Sequence, residues 1–152
     1  MANLPSSSAI PGALVQFLSI AQTALTDAAT VWFGEELPTY EKPVTLQVTE
    51  ITGDQTPAEI GKLYRREETF NLVCSISCYQ GGEPDFPGLL AQVMDQFALI
   101  SKAVGNQPSL NGSVRYAQVG NFMINPATDA NGLSALTLDF SVRCEARVNS
   151  LS

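Results

Sequence analysis

The side chains best suited to chemistry are few. They are three cysteines (Cys74, Cys78, Cys144), the acidic neighbours Glu35-Glu36 and Glu67-Glu68, and one adjacent basic pair, Arg65-Arg66. The chain has no histidine. That removes the commonest general base, the Ser-His-Asp and Cys-His arrangements and most zinc sites. The spacing of Cys74 and Cys78 matches neither a redox C-x-x-C pair nor a common zinc motif, and no phosphate-binding or dinucleotide glycine pattern is present. Neighbouring acids in a strand point to opposite faces, so neither acidic pair makes a two-carboxylate site by itself. A hydrolase built on carboxylates stays open, but the expectation is a protein that is not an enzyme, with no catalytic residue, metal or cofactor.

The cysteines have a structural reading. Cys74 and Cys78 share one face of a strand, with Cα atoms roughly 13 Å apart at about 3.3 Å per residue. A disulfide needs less than about 7 Å. Cys144 lies on the apolar face of the last strand and could meet one of them across a sheet. Three reduced thiols acting as small hydrophobes fit a cytosolic origin.

These residues need elements to hold them. Phe70, Leu72, Cys74, Ile76 and Cys78 alternate with Asn71, Val73, Ser75 and Ser77, the period of a half-buried strand. Glu68 to Gln80 as one strand would span about 43 Å. That length calls for a bulge, or for its beginning to project with the loop before it. Val44 to Ile51 reads as the preceding strand, with Val44, Leu46 and Val48 inward. Thr52 to Lys62 reads as a long hairpin loop, extended or mobile, with room for one helical turn at Pro57–Ile60. Ser113–Asn125 places Val114, Tyr116, Phe122 and Ile124 on one parity, broken at Gly120 by a bulge or close approach. Leu133 to Val148 alternates most cleanly, and its Arg143, Glu145 and Arg147 read as a solvated face. Val31-Trp32-Phe33-Gly34 is a short strand or a corner, with Trp32 as a core anchor.

Two helices are predicted. Pro11 to Ala29, with Ser8 as a cap, turns Leu14, Phe17, Leu18, Ala21, Leu25 and Ala28 to one side. It carries no charge from Ala13 to Thr26, which suits packing on more than one side. The second starts at an Asp85 cap with Pro87 in its first turn and runs to about Val104. Its seam is Leu90, Val93, Phe97, Ile100 and Val104, flanked by Leu89 and Met94, and Gly105-Asn106 stops it. Elements apolar on one face only make two layers. The expected fold is an α+β two-layer sandwich: two main helices on one face of a largely antiparallel, or mixed, sheet of four to five strands, with a long β-hairpin loop. Residues 1-152 form one domain in this reading, and 1-10 a flexible N-terminal arm.

The totals narrow the partners. The net charge is −7 and only 15% of residues are charged, against a typical ~25%. Gripping nucleic acid takes clustered Lys and Arg, and Arg65-Arg66 is followed at once by Glu67-Glu68. The first residues lack the basic start of a secretory signal, and no apolar run reaches the ~20 residues that span a bilayer. No membrane partner is expected.

The helix Leu89–Val104 followed by Pro108-Ser109-Leu110-Asn111-Gly112-Ser113-Val114, set between the Glu68-Thr69-Phe70-Asn71-Leu72-Val73-Cys74-Ser75-Ile76-Ser77-Cys78 strand and the paired final strands, resembles the tail terminator (tail completion) proteins of long-tailed, siphovirus-type phages. The related head–tail joining proteins share the pattern. The likeness covers roughly Val44 to Val148 and contains no invariant catalytic residue. It implies a structural virion protein, made in the host cytoplasm and placed at the head-proximal end of the tail. The implied assembly is a ring of six copies that caps the tail tube and stops its polymerisation. Its partners would be itself, the tail tube protein and a head–neck connector protein, with DNA passing non-specifically through the lumen. A head-completion or connector (neck) subunit is the first alternative. A small cytosolic ligand-binding domain, using a cavity between helices and sheet, is the second. Candidate assembly residues are Asp54, Gln55, Thr56 and Glu59 in the long loop, Asp129 and Asn131 at the second hairpin tip, and Arg65 and Arg66 at the loop base. The two arginines would pair with acids of a neighbour, or else be neutralised by Glu67 and Glu68.

Overall fold

The computed structural model describes residues 8–26, 29–34, 44–57, 65–80, 85–128 and 134–149. The elements run α1 (Ile10–Leu25), β1 (Ala29–Phe33), β2 (Val44–Pro57), β3 (Arg65–Gln80), α2 (Phe86–Asn106), β4 (Tyr116–Thr128) and β5 (Ser134–Asn149). The strands form one five-stranded sheet in the order β1-β2-β3-β5-β4. All neighbours are antiparallel except β1 and β2, which run parallel, so the sheet is mixed. The helices share its apolar face: α1 packs on β1 and α2, while α2 packs on β3, β5 and β4. The α+β two-layer architecture agrees with the sequence expectation.

β3 is the middle of the sheet. It pairs with β5 in unbroken register from Arg65↔Asn149 to Gln80↔Ser134. On its other side β2 follows it as far as Pro57↔Arg66. Its first residues therefore lie between two strands rather than projecting in a bare hairpin, and Thr52–Pro57, read as loop from their Gly and Pro, are strand. Of that expected loop, residues 58–62 lie outside the described residues. The backbone ladder outweighs the local turn signal because β3 offers Thr52–Pro57 a partner at every position.

The bulges sit in the outer strands. In β2 the register slips between Val48↔Cys74 and Glu50↔Val73, which leaves Thr49 extra. In β4 it slips between Val119↔Val142 and Phe122↔Phe140, which sets Gly120 and Asn121 against Ser141. Val73 and Ser141 are themselves paired. The two bulges thus lie on one line across the sheet. Each swaps the parity of its strand. Inward positions in β2 change from Val44, Leu46 and Val48 to Ile51 and Gly53, opposite Leu72 and Phe70. In β4 they change from Ala117 and Val119 to Phe122 and Ile124. Tyr116 therefore faces outward, against the expectation that it shares a face with Phe122. Gly120 permits the slip, because a Cβ there would stand 3.3 Å from Ser141 Oγ.

Behind this face the core is continuous. Phe17, Phe70, Leu72, Ile76, Ile100 and Leu138 are all fully buried within it. The helix faces are rotated slightly from the expected seams. In α1 the buried line is Ala13, Phe17, Ile20, Ala21 and Leu25, with Leu14 and Leu18 at its flank. In α2 it is Leu89, Val93, Ile100 and Val104, while Leu90 is 42% exposed. Asp85 caps α2 as expected, accepting from the Gly88 amide at 3.1 Å. α1 ends sooner than expected, at Leu25, and Ala29 opens β1. Thr26 takes φ 59°, and the Gln22 side chain donates to the Thr26 and Ala29 carbonyls. Trp32 is half-buried on β1 rather than a fully buried anchor.

The N-terminus of α1 is held by the sheet. Ser8 Oγ accepts from the Ile10 amide at 2.9 Å, and Glu68 Oε1 accepts from the Ala9 amide at 2.7 Å. Glu68 is 2% exposed and continues the inward parity of Phe70 and Leu72. α1 has no acid of its own in its first turn. The Glu68 carboxylate supplies the negative group that a helix N-terminus favours. Gly53 allows the close approach: a Cβ there would sit 3.1 Å from the Phe70 Cβ and 3.5 Å from the Ile10 Cδ1.

Glu68→Ala strands the buried Ala9 amide and is expected to cost about 1–3 kcal/mol in urea unfolding. Glu68→Gln keeps an acceptor and costs less. Equal losses for the two variants would show that the hydrogen bond is not what holds α1.

Candidate interaction surface

Among the described residues the cysteines lie buried and apart, while Glu35 and Glu36 lie outside the described residues. In the register, Cys144 faces Phe70 and Ala117, Cys74 faces Val48 and Phe140, and Cys78 faces Val44 and Leu136. Cys144 therefore meets neither of the others across the sheet, because its cross-strand partner lies four residues from Cys74. All three are free and buried. Burial pushes the thiols up from an ordinary 9.0, to about 11 for Cys78 and about 12 for Cys144. Cys74 is pushed up as well, by burial first and by the nearness of Cys144 second. Such thiols are poor nucleophiles. Among the described residues no three His, Cys, Asp or Glu side chains converge to hold a metal ion. No described helix is long and apolar enough to cross a membrane.

The charged residues of the outer sheet face mostly satisfy one another. Glu67 accepts from Arg147 at 2.7 Å and from Arg115 at 3.1 Å, which ties β3 to β5 and to the start of β4. Arg143 and Glu145 lie 3.5 Å apart on β5. Glu67 is engaged by Arg115 and Arg147, and Glu68 accepts from the α1 N-terminus; the side chains of Arg65 and Arg66 lie outside the described residues. The rest of this face is mostly polar, with Glu50, Asp54 and Asp139 among uncharged groups and the Ser77 and Thr137 hydroxyls 3.1 Å apart across β3 and β5.

Of the candidate assembly residues, Asp54 is exposed near the end of β2. It lines an open groove of about 420 Å³ with Thr52, Gly53, Thr69, Asn71 and Arg143. Gln55 and Thr56 pair through their backbones with Glu68 and Glu67. Arg65 and Arg66 pair with Asn149 and Val148. The side chains of these four, and all of Glu59, Asp129 and Asn131, lie outside the described residues. The structure therefore gathers Asp54, Gln55, Thr56, Arg65 and Arg66 at one end of the sheet, through backbone pairing alone.

A second surface escaped the sequence reading. β4 ends the sheet, and Tyr116, Phe122 and Met123 on it are 48%, 50% and 65% exposed. Between β4 and the last turns of α2 runs an apolar groove of about 570 Å³, lined by Phe97, Val104, Pro108, Tyr116, Val119 and Phe122 among others. The Phe97 ring packs at 5.2 Å against both Phe122 and Phe140. Its floor therefore belongs to the core, while half of Phe122 meets solvent. The Pro108–Val114 turn at one end is tied by hydrogen bonds and a buried side chain. Leu110, Asn111 and Gly112 take positive φ in succession, and Leu110 is completely buried. Ser109 Oγ accepts from the Gly112 amide, and Ser113 Oγ donates to the Leu110 carbonyl. The signal that could have found this surface is the lack of charge. None of the 23 charged residues falls in 116–128, in 10–26 or in 29–34.

No family model matches the chain, and no curated protein does. Among solved structures it is similar to a chain of the virion of a native gene transfer agent particle, at 13% identity and a TM-score of 0.37. The likeness covers 92% of this chain and 100% of that one. At that score it carries no argument about function.

The thiols give a measurable pH dependence. The unfolded chain releases these protons near pH 9, while the folded chain keeps those of Cys78 and Cys144 to about pH 11 and 12. Their contribution to stability is full below pH 9 and is lost as pH rises through the folded values. The urea midpoint is expected to fall from pH 9 to 11, and less steeply in Cys78→Ala. Alkylation of the native protein at pH 8 should proceed no faster than unfolding; rapid labelling of any cysteine would contradict the burial.

Proposed function

We propose that this chain is a structural subunit of a phage-type virion that works by assembling with copies of itself, and that its place is the tail terminator ring at the head-proximal end of the tail. The observation that carries the reading is the pair of free sheet edges. Among the described residues nothing pairs with the outer side of β4, nor with the β1 side of β2 beyond Val48. A long uncharged edge with exposed aromatic groups is a liability in a monomer and an asset in an assembly. The resemblance of the Val44–Val148 segment to tail terminators supplies the specific assignment. The ring would cap the tail tube, stop its growth and present a surface to the head–neck connector. Against the ligand-binding alternative stands the continuous core between helices and sheet among the described residues. The grooves described lie open on the surface.

Static light scattering at increasing concentration, with and without tail tubes, tests assembly. Negative-stain images of the protein mixed with tubes test the position. The expected result is a cap at one tube end and shorter tubes when the protein is present during polymerisation. Decoration of head vertices instead would favour the connector reading, and a monomer that ignores both partners would overturn the proposal.

A further inference from the structure

The two flanks of the sheet differ in shape and match in chemistry. On one side stand β1 and α1, with Phe33 and Val15 as protruding apolar groups, 50% and 62% exposed. On the other stand β4 and the concave apolar groove against α2. Both flanks are free of charge along their whole described length, although the chain carries 15 acids and 8 bases. Among the described residues the exposed charges sit instead on the outer sheet face, at Arg115 and along α2 from its Asp85 cap. Interface centres are depleted in charge and enriched in aromatic residues. An edge meant to stay single is normally guarded by Lys or other charges. β4 carries Pro126 and a bulge but no charge.

β1 and β4 are the two ends of the strand order. A contact between unlike flanks is head-to-tail: each copy uses one flank on each neighbour, and the chain of contacts closes into a ring when the rotation allows. A symmetric contact of β4 with β4 would end at a dimer and leave the α1–β1 flank uncovered.

We infer that the α1–β1 flank of one copy, led by Phe33, docks in the Phe97–Val119–Phe122 groove of the next copy. This rests on the self-assembly reading above and names the surfaces that would carry it.

Two single variants, Phe33→Cys and Phe122→Cys, test it with a short bismaleimide, the native thiols being buried. Mixed together they should give a cross-linked dimer, and each alone should give none. A double variant should give a ladder ending at the ring. Cross-linking by Phe122→Cys alone would show a symmetric contact and overturn the inference. Assemblies that form while the mixture stays uncross-linked would overturn it too, but would leave the assembly reading standing. A protein monomeric under all conditions would overturn both. As a second variant, Phe122→Asp should shift the light-scattering mass to that of the monomer with an unchanged circular dichroism spectrum; full assembly of this variant would also overturn the inference.

Discussion

A strand shows its side chains to two faces in strict alternation, and this sheet has only one face to bury. Every long strand must keep its apolar set on the helix side over 13 to 16 residues. β3 and β5 do so by alternation alone. β2 and β4 do so only because each changes parity once. The change falls at the same level in both, beside the Val73↔Ser141 pair, so the helices rest on one continuous apolar surface. Were Thr49 paired as an ordinary strand residue, Glu50 and Thr52 would turn inward in place of Ile51 and Gly53. The core, the seating of α1 and the outward Tyr116 all depend on those two slips.

That constraint explains what could be read from the residues beforehand. β3 and β5 were legible because Phe70–Cys78 and Leu136–Ala146 alternate without interruption. α2 was legible because Asp85 and Pro87 mark its start by local chemistry. The bulge in β4 was legible at Gly120, but its consequence for Tyr116 was not, since parity before a slip depends on which residue is left over. Thr49 gave no sign, for it sits in an apparently ordinary strand. Leu90 misled because a helix seam one residue aside fits nearly the same spacing, and only the position of the sheet chooses between them.

Glu68 shows a different limit. Beside Arg65, Arg66 and Glu67 it reads as one of a solvated charge cluster, although its parity matches Phe70. The α1 N-terminus, arriving from 59 residues earlier in the chain, gives the inward carboxylate a buried hydrogen-bond donor. The groove beside β4 was invisible for a related reason: its walls come from α2 and β4, and its emptiness is a property of their separation. Loop length points to the residues around Asp54 and Arg66, but what unites them is backbone pairing that no composition reveals.

The segregation of charge has a consequence for how the molecule responds to its medium. Dissolved salt weakens exposed ionic contacts within a Debye length of about 8–10 Å near physiological strength, and it does nothing comparable to apolar ones. If copies bind side by side through the uncharged flanks, as inferred above, those contacts would persist at an ionic strength that loosens the exposed Glu67–Arg115 pair within each copy.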